Sequence, residues 1–249
     1  GLFAGLSGVG VYAIGQRVAN LVFTYMVALE NVFTPQVYER MFSLGDQGGE
    51  AVGRYLTPFA YSSIAVAMLV SLFSEEVLFI LTPPSFHDAV AVVNVLAIYY
   101  GLSFLGKQPQ LVYSKKTHLI PMLTAVHLVL TLGFGILFIR AWGAVGAAWG
   151  TLTAGTIYLG LWQLLGQRYY RIHYEYRKLG AIFGVFAFSS ILVLVLREMS
   201  VEYLMRLSAK AACIVAYVWV GVRVNVINRS NIHLVRRALF RMLRRDRVT

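Results

Sequence analysis

Seven stretches of mostly apolar residues follow one another along this 249-residue chain. Each is close to the roughly 20 residues that a helix needs to cross about 30 Å of hydrocarbon. They run over Val9–Thr34, Tyr55–Phe73, Ala89–Val112, Leu119–Ile139, Ala144–Leu165, Leu179–Leu196 and Leu207–Val222. No strand-like alternation and no short repeat interrupts them. Charged residues make up only 13% of the chain, against about 25% in an ordinary soluble domain. That is too little to cover a water-facing surface, which argues against a soluble enzyme, a disordered chain or a disulfide scaffold. Cys213 is the one cysteine, so an intrachain disulfide or a cysteine-rich metal site is excluded. The reading is an all-α, polytopic transmembrane helix bundle of about seven spans over 1–223. A basic, amphipathic tail over 224–249 follows it.

The 22 Lys and Arg outnumber the 11 Asp and Glu. Their placement, between apolar runs, points to membrane topology and not to nucleic acid. Alternate loops carry 17 of them: Arg40 and Arg54; Lys107, Lys115 and Lys116; Arg168, Arg171, Arg177 and Lys178; and eight arginines from Arg223 onward. The opposite loops carry three, Arg140, Arg197 and Arg206. By the positive-inside rule the first run starts outside and the tail is cytoplasmic. Within the tail, Ile232, Val235, Leu239 and Met242 share one helical face, opposite Arg237, Arg241, Arg244 and Arg245. Such a helix is expected to lie on anionic inner-leaflet lipids.

Prolines punctuate the runs. Pro35 is expected to close the first and Pro58 to sit in the first turn of the second, where its missing N–H costs little. Pro121 is expected to open the fourth in the same way, and Pro109 to bend the third late in its course. Gly143, Gly146 and Gly150 open the fifth run as a packing face that lets a neighbouring helix approach closely. The chain begins on Gly1 with no signal-peptide pattern, so an upstream part is expected to be missing.

Polar groups inside the spans are the functional candidates, because each is expensive in lipid. Gln16, Arg17, Asn20 and Thr24, with Asn31 beyond, follow steps of three and four and form one stripe. The stripe should face protein or a water-filled cavity, where Arg17 is suited to grip a phosphate bidentately. The alternative is that Arg17 snorkels to the outer interface or pairs with a carboxylate. His127 lies between Thr124 and Thr131 on one helical face, either to relay protons or to make an interhelical hydrogen bond. Lys107 joins Gln108 and Gln110 at the Pro109 bend, either lining a cavity or snorkelling. Glu30 is read as an interfacial residue or the partner of an arginine such as Arg54, and Lys210 as snorkelling. Tyr99, Tyr100, Tyr113, Tyr169, Tyr170, Tyr174 and Tyr176 read as an interfacial belt. There is no phosphate-binding Gly loop, no metal-ligand spacing and no nucleophile–base pair on a loop. No cofactor, no metal and no chemical catalysis are expected.

Two stretches resemble a known family. Gly8-Val9-Gly10-Val11-Tyr12-Ala13-Ile14-Gly15-Gln16-Arg17, running on to Pro35, is similar to the start of the eighth span in one branch of a large transporter superfamily. Leu137-Phe138-Ile139 with Gly143-Ala144-Val145-Gly146-Ala147-Ala148-Trp149-Gly150-Thr151 resembles the break between that branch's eleventh and twelfth spans. The branch is the polysaccharide exporters, or O-antigen/oligosaccharide flippases, of the multidrug/oligosaccharidyl-lipid/polysaccharide flippase superfamily. The resemblance implies that the chain is the carboxy-terminal lobe of a two-lobe protein, with an amino-terminal lobe as partner. It implies alternating-access flipping of a polyprenyl-diphosphate-linked oligosaccharide across a bacterial inner membrane, for surface polysaccharide biosynthesis. His127 and Thr131 depart from the family, which has Asn-like residues there. A cation-coupled small-molecule antiporter of the same superfamily is the alternative; it calls for membrane-embedded carboxylates. A membrane-bound glycan polymerase or ligase would need a large outer loop, and the outer loops here are all short.

Overall fold

A computed structural model describes residues 6–104 and 109–236. Among them there is no strand. The helices are α1 (Leu6–Leu44), α2 (Gly48–Leu72), α3 (Ser74–Leu81), α4 (Ala89–Ser103), α5 (Gln110–Tyr113), α6 (Leu119–Tyr169), α7 (Tyr176–Glu198) and α8 (Tyr203–Arg223). Four of them, α2, α6, α7 and α8, are long and apolar enough to cross a membrane.

The first helix does not stop at Pro35; it continues to Leu44. A proline removes one hydrogen bond to the carbonyl four residues back. Here that carbonyl belongs to Asn31, and both Asn31 and Pro35 are exposed, so the break falls where other donors can reach it. With 39 residues, α1 extends about 58 Å at 1.5 Å per residue, well beyond a hydrocarbon core. It turns at Gly45–Gln47 into α2, which starts seven residues before the apolar run and carries Pro58 in its interior. The two helices pack through Met26, Leu29, Phe33, Val37 and Met41 against Val52, Tyr55, Leu56, Phe59 and Ala60. That is the helical spacing of two apolar faces meeting.

The third apolar run is also shorter than its pattern suggests. Helix α4 has 15 residues and ends at Ser103, and Pro109 stands before a separate short helix, α5. Pro109 therefore lies outside α4 and does not produce the bend that the sequence led one to expect. Helix α4 is buried nearly all round, from Ala89 through Tyr100. It forms the centre of the bundle, packed by α1, α2, α6 and α7.

Helix α6 covers 51 residues but folds back on itself at Trp142 and Gly143. Gly143 has φ +57° and ψ −131°, a conformation that a side chain would strain. A Cβ on Gly146 would collide with the Phe138 carbonyl, and one on Gly150 would lie 2.9 Å from the Gly135 Cα. Residues 15 apart in a straight helix would be about 22 Å apart, so the two arms run antiparallel. Small residues set their close approach, as the sequence indicated.

An extended stretch, 170–175, connects α6 to α7 and is fastened to the α1–α2 end. The His173 backbone N–H donates to the Gly49 carbonyl at 3.1 Å. Buried Gln110 donates from Nε2 to the Tyr170 carbonyl at 2.6 Å, and the Tyr170 hydroxyl donates to the Gly45 carbonyl at 2.9 Å. Burial raises the Tyr174 phenol above its ordinary pKa. The bundle's outer faces are apolar, including Leu128, Val129 and Ile136 on α6, Phe188 and Ile191 on α7, and Val215 and Trp219 on α8.

Candidate functional site

The α1 stripe exists as a continuous face. Arg17, Asn20, Thr24 and Asn31 are all exposed and Gln16 is half-buried. At 100° per residue the four exposed groups fall within about 60° of arc. Opposite them, Ala19, Val22, Met26 and Leu29 are buried. The stripe therefore faces away from this bundle's core, in a chain whose other outer surfaces are lipid-like.

A tyrosine seam ties the stripe to the rest of the bundle. The Tyr100 hydroxyl on α4 donates to Asn20 Oδ1 at 2.9 Å, and Gln16 is within hydrogen-bonding reach of the same phenol. Tyr99 lies beside Tyr100, ring centroids 5.2 Å apart, and fits a notch at Gly155 on the second arm of α6. Tyr158, one turn further along that arm, sits beneath His127: the two rings stack at 4.4 Å and 21°. Thr124 reaches the Tyr158 hydroxyl, and Trp162 meets the Tyr158 ring edge-on. On the other flank Tyr12 approaches Thr151, oxygen to oxygen, at 3.4 Å. Tyr12, Thr131 and Thr151 supply the hydroxyls of a groove of ≈ 360 Å³, otherwise walled by apolar residues such as Leu132, Ile136 and Ala147.

Of the residues singled out in the sequence, the structure joins Gln16 and Asn20 through Tyr100. It leaves Arg17 and Thr24 on the open face, and places His127 on α6 against Tyr158. Lys107 lies outside the described residues, as do tail positions Arg237, Leu239, Arg241, Met242, Arg244 and Arg245. Tyr99 and Tyr100 are not part of an interfacial belt: both are only 9% exposed and belong to the core, and Tyr170 and Tyr174 are buried too. The Tyr100 and Tyr170 hydroxyls have hydrogen-bonding partners inside the protein, which lets a phenol leave the interface. Arg54 pairs with Glu50, not Glu30.

Lys210 is the clearest correction. It does not reach an interface; it is 0% exposed, with Nζ 2.6 Å from Glu76 Oε1 and 3.7 Å from Glu75 Oε2. Arg206, one turn earlier on α8, binds Glu75 Oε1 at 2.6 Å, and the Tyr203 hydroxyl donates to Glu76 at 3.2 Å. Next to this cluster lies a neutral polar knot. Ser71 Oγ donates to Asn94 Oδ1 at 2.5 Å and lies 2.8 Å from Ser190 Oγ, while Asn94 Nδ2 donates to Ser74 Oγ at 3.0 Å and to the Val90 carbonyl at 2.9 Å. The sequence carried a signal for the charge cluster. Arg206 and Lys210 stand at i,i+4, and Glu75-Glu76 lie in a loop assigned to the same side, but a count of cations alone passes over it.

Among the described residues no group of three or more His, Cys, Asp or Glu could hold a metal ion. What the open face offers is a guanidinium, amides, hydroxyls and nearby aromatic rings. These groups bind and orient polar ligands. Comparison of the chain with protein-family models, curated proteins and solved structures returns no match.

Proposed function

We propose that this chain forms one lobe of a membrane transporter that flips a polyprenyl-diphosphate-linked oligosaccharide by alternating access. In this reading it crosses a bacterial inner membrane seven times. The passes are α1, α2, α4, each arm of α6, α7 and α8, with the α1–α2 turn and the tail in the cytoplasm. The exposed stripe on α1 carries the proposal. An arginine held in hydrocarbon costs at least about 2.5 kcal/mol, and here amides and a hydroxyl accompany it on the same face. A hydrated cleft opposite a second, amino-terminal lobe accounts for all four groups together. There Arg17 binds the diphosphate, Asn20, Gln16 and Thr24 meet sugar hydroxyls, and Tyr100 holds Asn20 in place. Such a cleft lowers the barrier to moving a charged, hydrated headgroup across lipid. The sequence resemblance points the same way.

The antiporter alternative needs an open carboxylate. Glu30 is the one acid near a span interior and is itself engaged, and Glu75 and Glu76 each sit within hydrogen-bonding distance of a cation, which favours the flippase.

The test is Arg17→Ala in the full-length protein, in the cell that makes the glycan, with Arg17→Lys alongside. Surface glycan should fall by about tenfold or more, the equivalent of one charge-assisted contact, at unchanged protein level in the membrane. Lysine should restore it in part, because it keeps the charge without the fork. Undiminished glycan with Arg17→Ala overturns the assignment.

A further inference from the structure

Beyond α8 the chain turns and runs on along α2, toward its start, as a helical stretch over 229–236. The turn is fixed from within. Val226 is buried, its carbonyl accepts from Asn231 Nδ2 at 2.9 Å, and Asn228 Oδ1 accepts the Asn231 backbone N–H at 2.8 Å. The end of α8 is held on α2 by Tyr217, whose ring stacks on Tyr61 at 4.7 Å and whose hydroxyl donates to the Tyr61 carbonyl at 2.7 Å. Between α2 and the 229–236 stretch a groove of ≈ 340 Å³ remains. Its walls are apolar, with Pro58, Ala65, Ile227, Ile232 and Val235 among them, and Arg236 stands at its edge.

The stretch that leads into this groove is basic. From Tyr203 through Arg245 the chain contains no Asp or Glu. Arg223 and Arg229 are exposed and make no ion pair among the described residues. Arg229, His233 and Arg236 follow at i, i+4 and i+7, on one side of this helical stretch. Arg223 closes the apolar run of α8, so the groove lies at the level where hydrocarbon gives way to headgroups.

We propose that this groove is a binding site for a single anionic phospholipid. One acyl chain lies along Pro58, Ala65, Ile227 and Ile232, and the phosphate is held by Arg229 and Arg236. Basic residues alone would attract an anionic leaflet without selecting one molecule. An apolar channel ending at those arginines adds a chain subsite, and makes binding saturable at one lipid per protein. The 229–236 stretch is then clamped to α2 through the lipid, which couples its position to leaflet composition. The site asks nothing of the transport reading and stands if that reading fails.

The full chain, purified in detergent, is titrated with phosphatidylglycerol and separately with phosphatidylcholine of the same acyl chains, and retained lipid is read by native mass spectrometry. One phosphatidylglycerol should be retained per chain, in preference to phosphatidylcholine by about fivefold for each arginine engaged. Arg229→Gln with Arg236→Gln should bring phosphatidylglycerol down to the phosphatidylcholine level. Ile232→Trp, at a position 52% exposed and so tolerant of bulk, should fill the groove and abolish retention of both. Ala65→Phe does the same from the opposite wall. The proposal is overturned if the wild-type chain retains no lipid or retains the two lipids equally. It is also overturned if the groove-filling variants keep the first phosphatidylglycerol.

Discussion

At the end of the bundle where α3 meets α8, four charges stand beside their opposites: Lys210 and Arg206 from one helix, Glu75 and Glu76 from the other. On α1, Arg17 stands on an exposed face beside Asn20 and Thr24. Both places put an ionised side chain inside or next to an apolar run. The first satisfies it within the chain, and Lys210 is wholly buried as a result. The second leaves its polar atoms facing outward, with only Asn20 and Gln16 anchored through Tyr100. Closure of this kind serves stability, because a buried charge without its partner is costly. An open polar face contributes little to folding. Its presence in a membrane chain is explained by something that meets it from outside.

The contrast is tested most severely at Lys210. Lys210→Ala leaves Glu76 without its nearest cation and should cost about 3–5 kcal/mol, read as a large drop in Tm of the detergent-solubilised protein. Lys210→Met combined with Glu76→Gln removes both charges and keeps the volume, so it should recover most of that loss. If the single and the double variant unfold together, the pair is not what fixes α8.

A smaller effect is expected at Asn94, which joins α2, α3 and α4 without any charge. Asn94→Leu removes its three hydrogen bonds but leaves Ser71 bonded to Ser190, and Ser74 still donating to the Ser71 carbonyl. The cost should be about 1–3 kcal/mol in the same unfolding measurement, below that of Lys210→Ala. The reverse order would mean that the neutral knot, not the ion pairs, holds this end together.

Features governed by local spacing were legible in the sequence. The apolar runs became helices, Gly143 reversed the chain, and the α1 stripe emerged with its residues on one face. Features governed by partners were not. Pro35 was expected to end a helix, yet an exposed turn tolerates it. Tyr99 and Tyr100 were placed at an interface because tyrosines gather there, but Asn20 and Gly155, distant in sequence, gave them hydroxyl and ring sites in the core. Lys210, taken alone, reads as snorkelling, whereas its environment is set by helix α3, more than a hundred residues earlier. Periodicity shows which face a residue occupies. It does not show what stands opposite, and for a buried charge that decides everything.

The least change in stability is expected where the largest change in function is. Arg17 makes no ion pair among the described residues, and its neighbours on the stripe are exposed. Arg17→Ala should therefore move unfolding by no more than about 0.5 kcal/mol, as for a surface position, while the proposed transport is lost. Thr24→Val adds a finer point: it keeps shape, removes one hydroxyl from the same face, and should likewise leave Tm in place. A marked loss of Tm in either variant would mean that the α1 face is packed against protein as the Glu75 end is. The open groove would then be closed, and the distinction between the two regions would disappear.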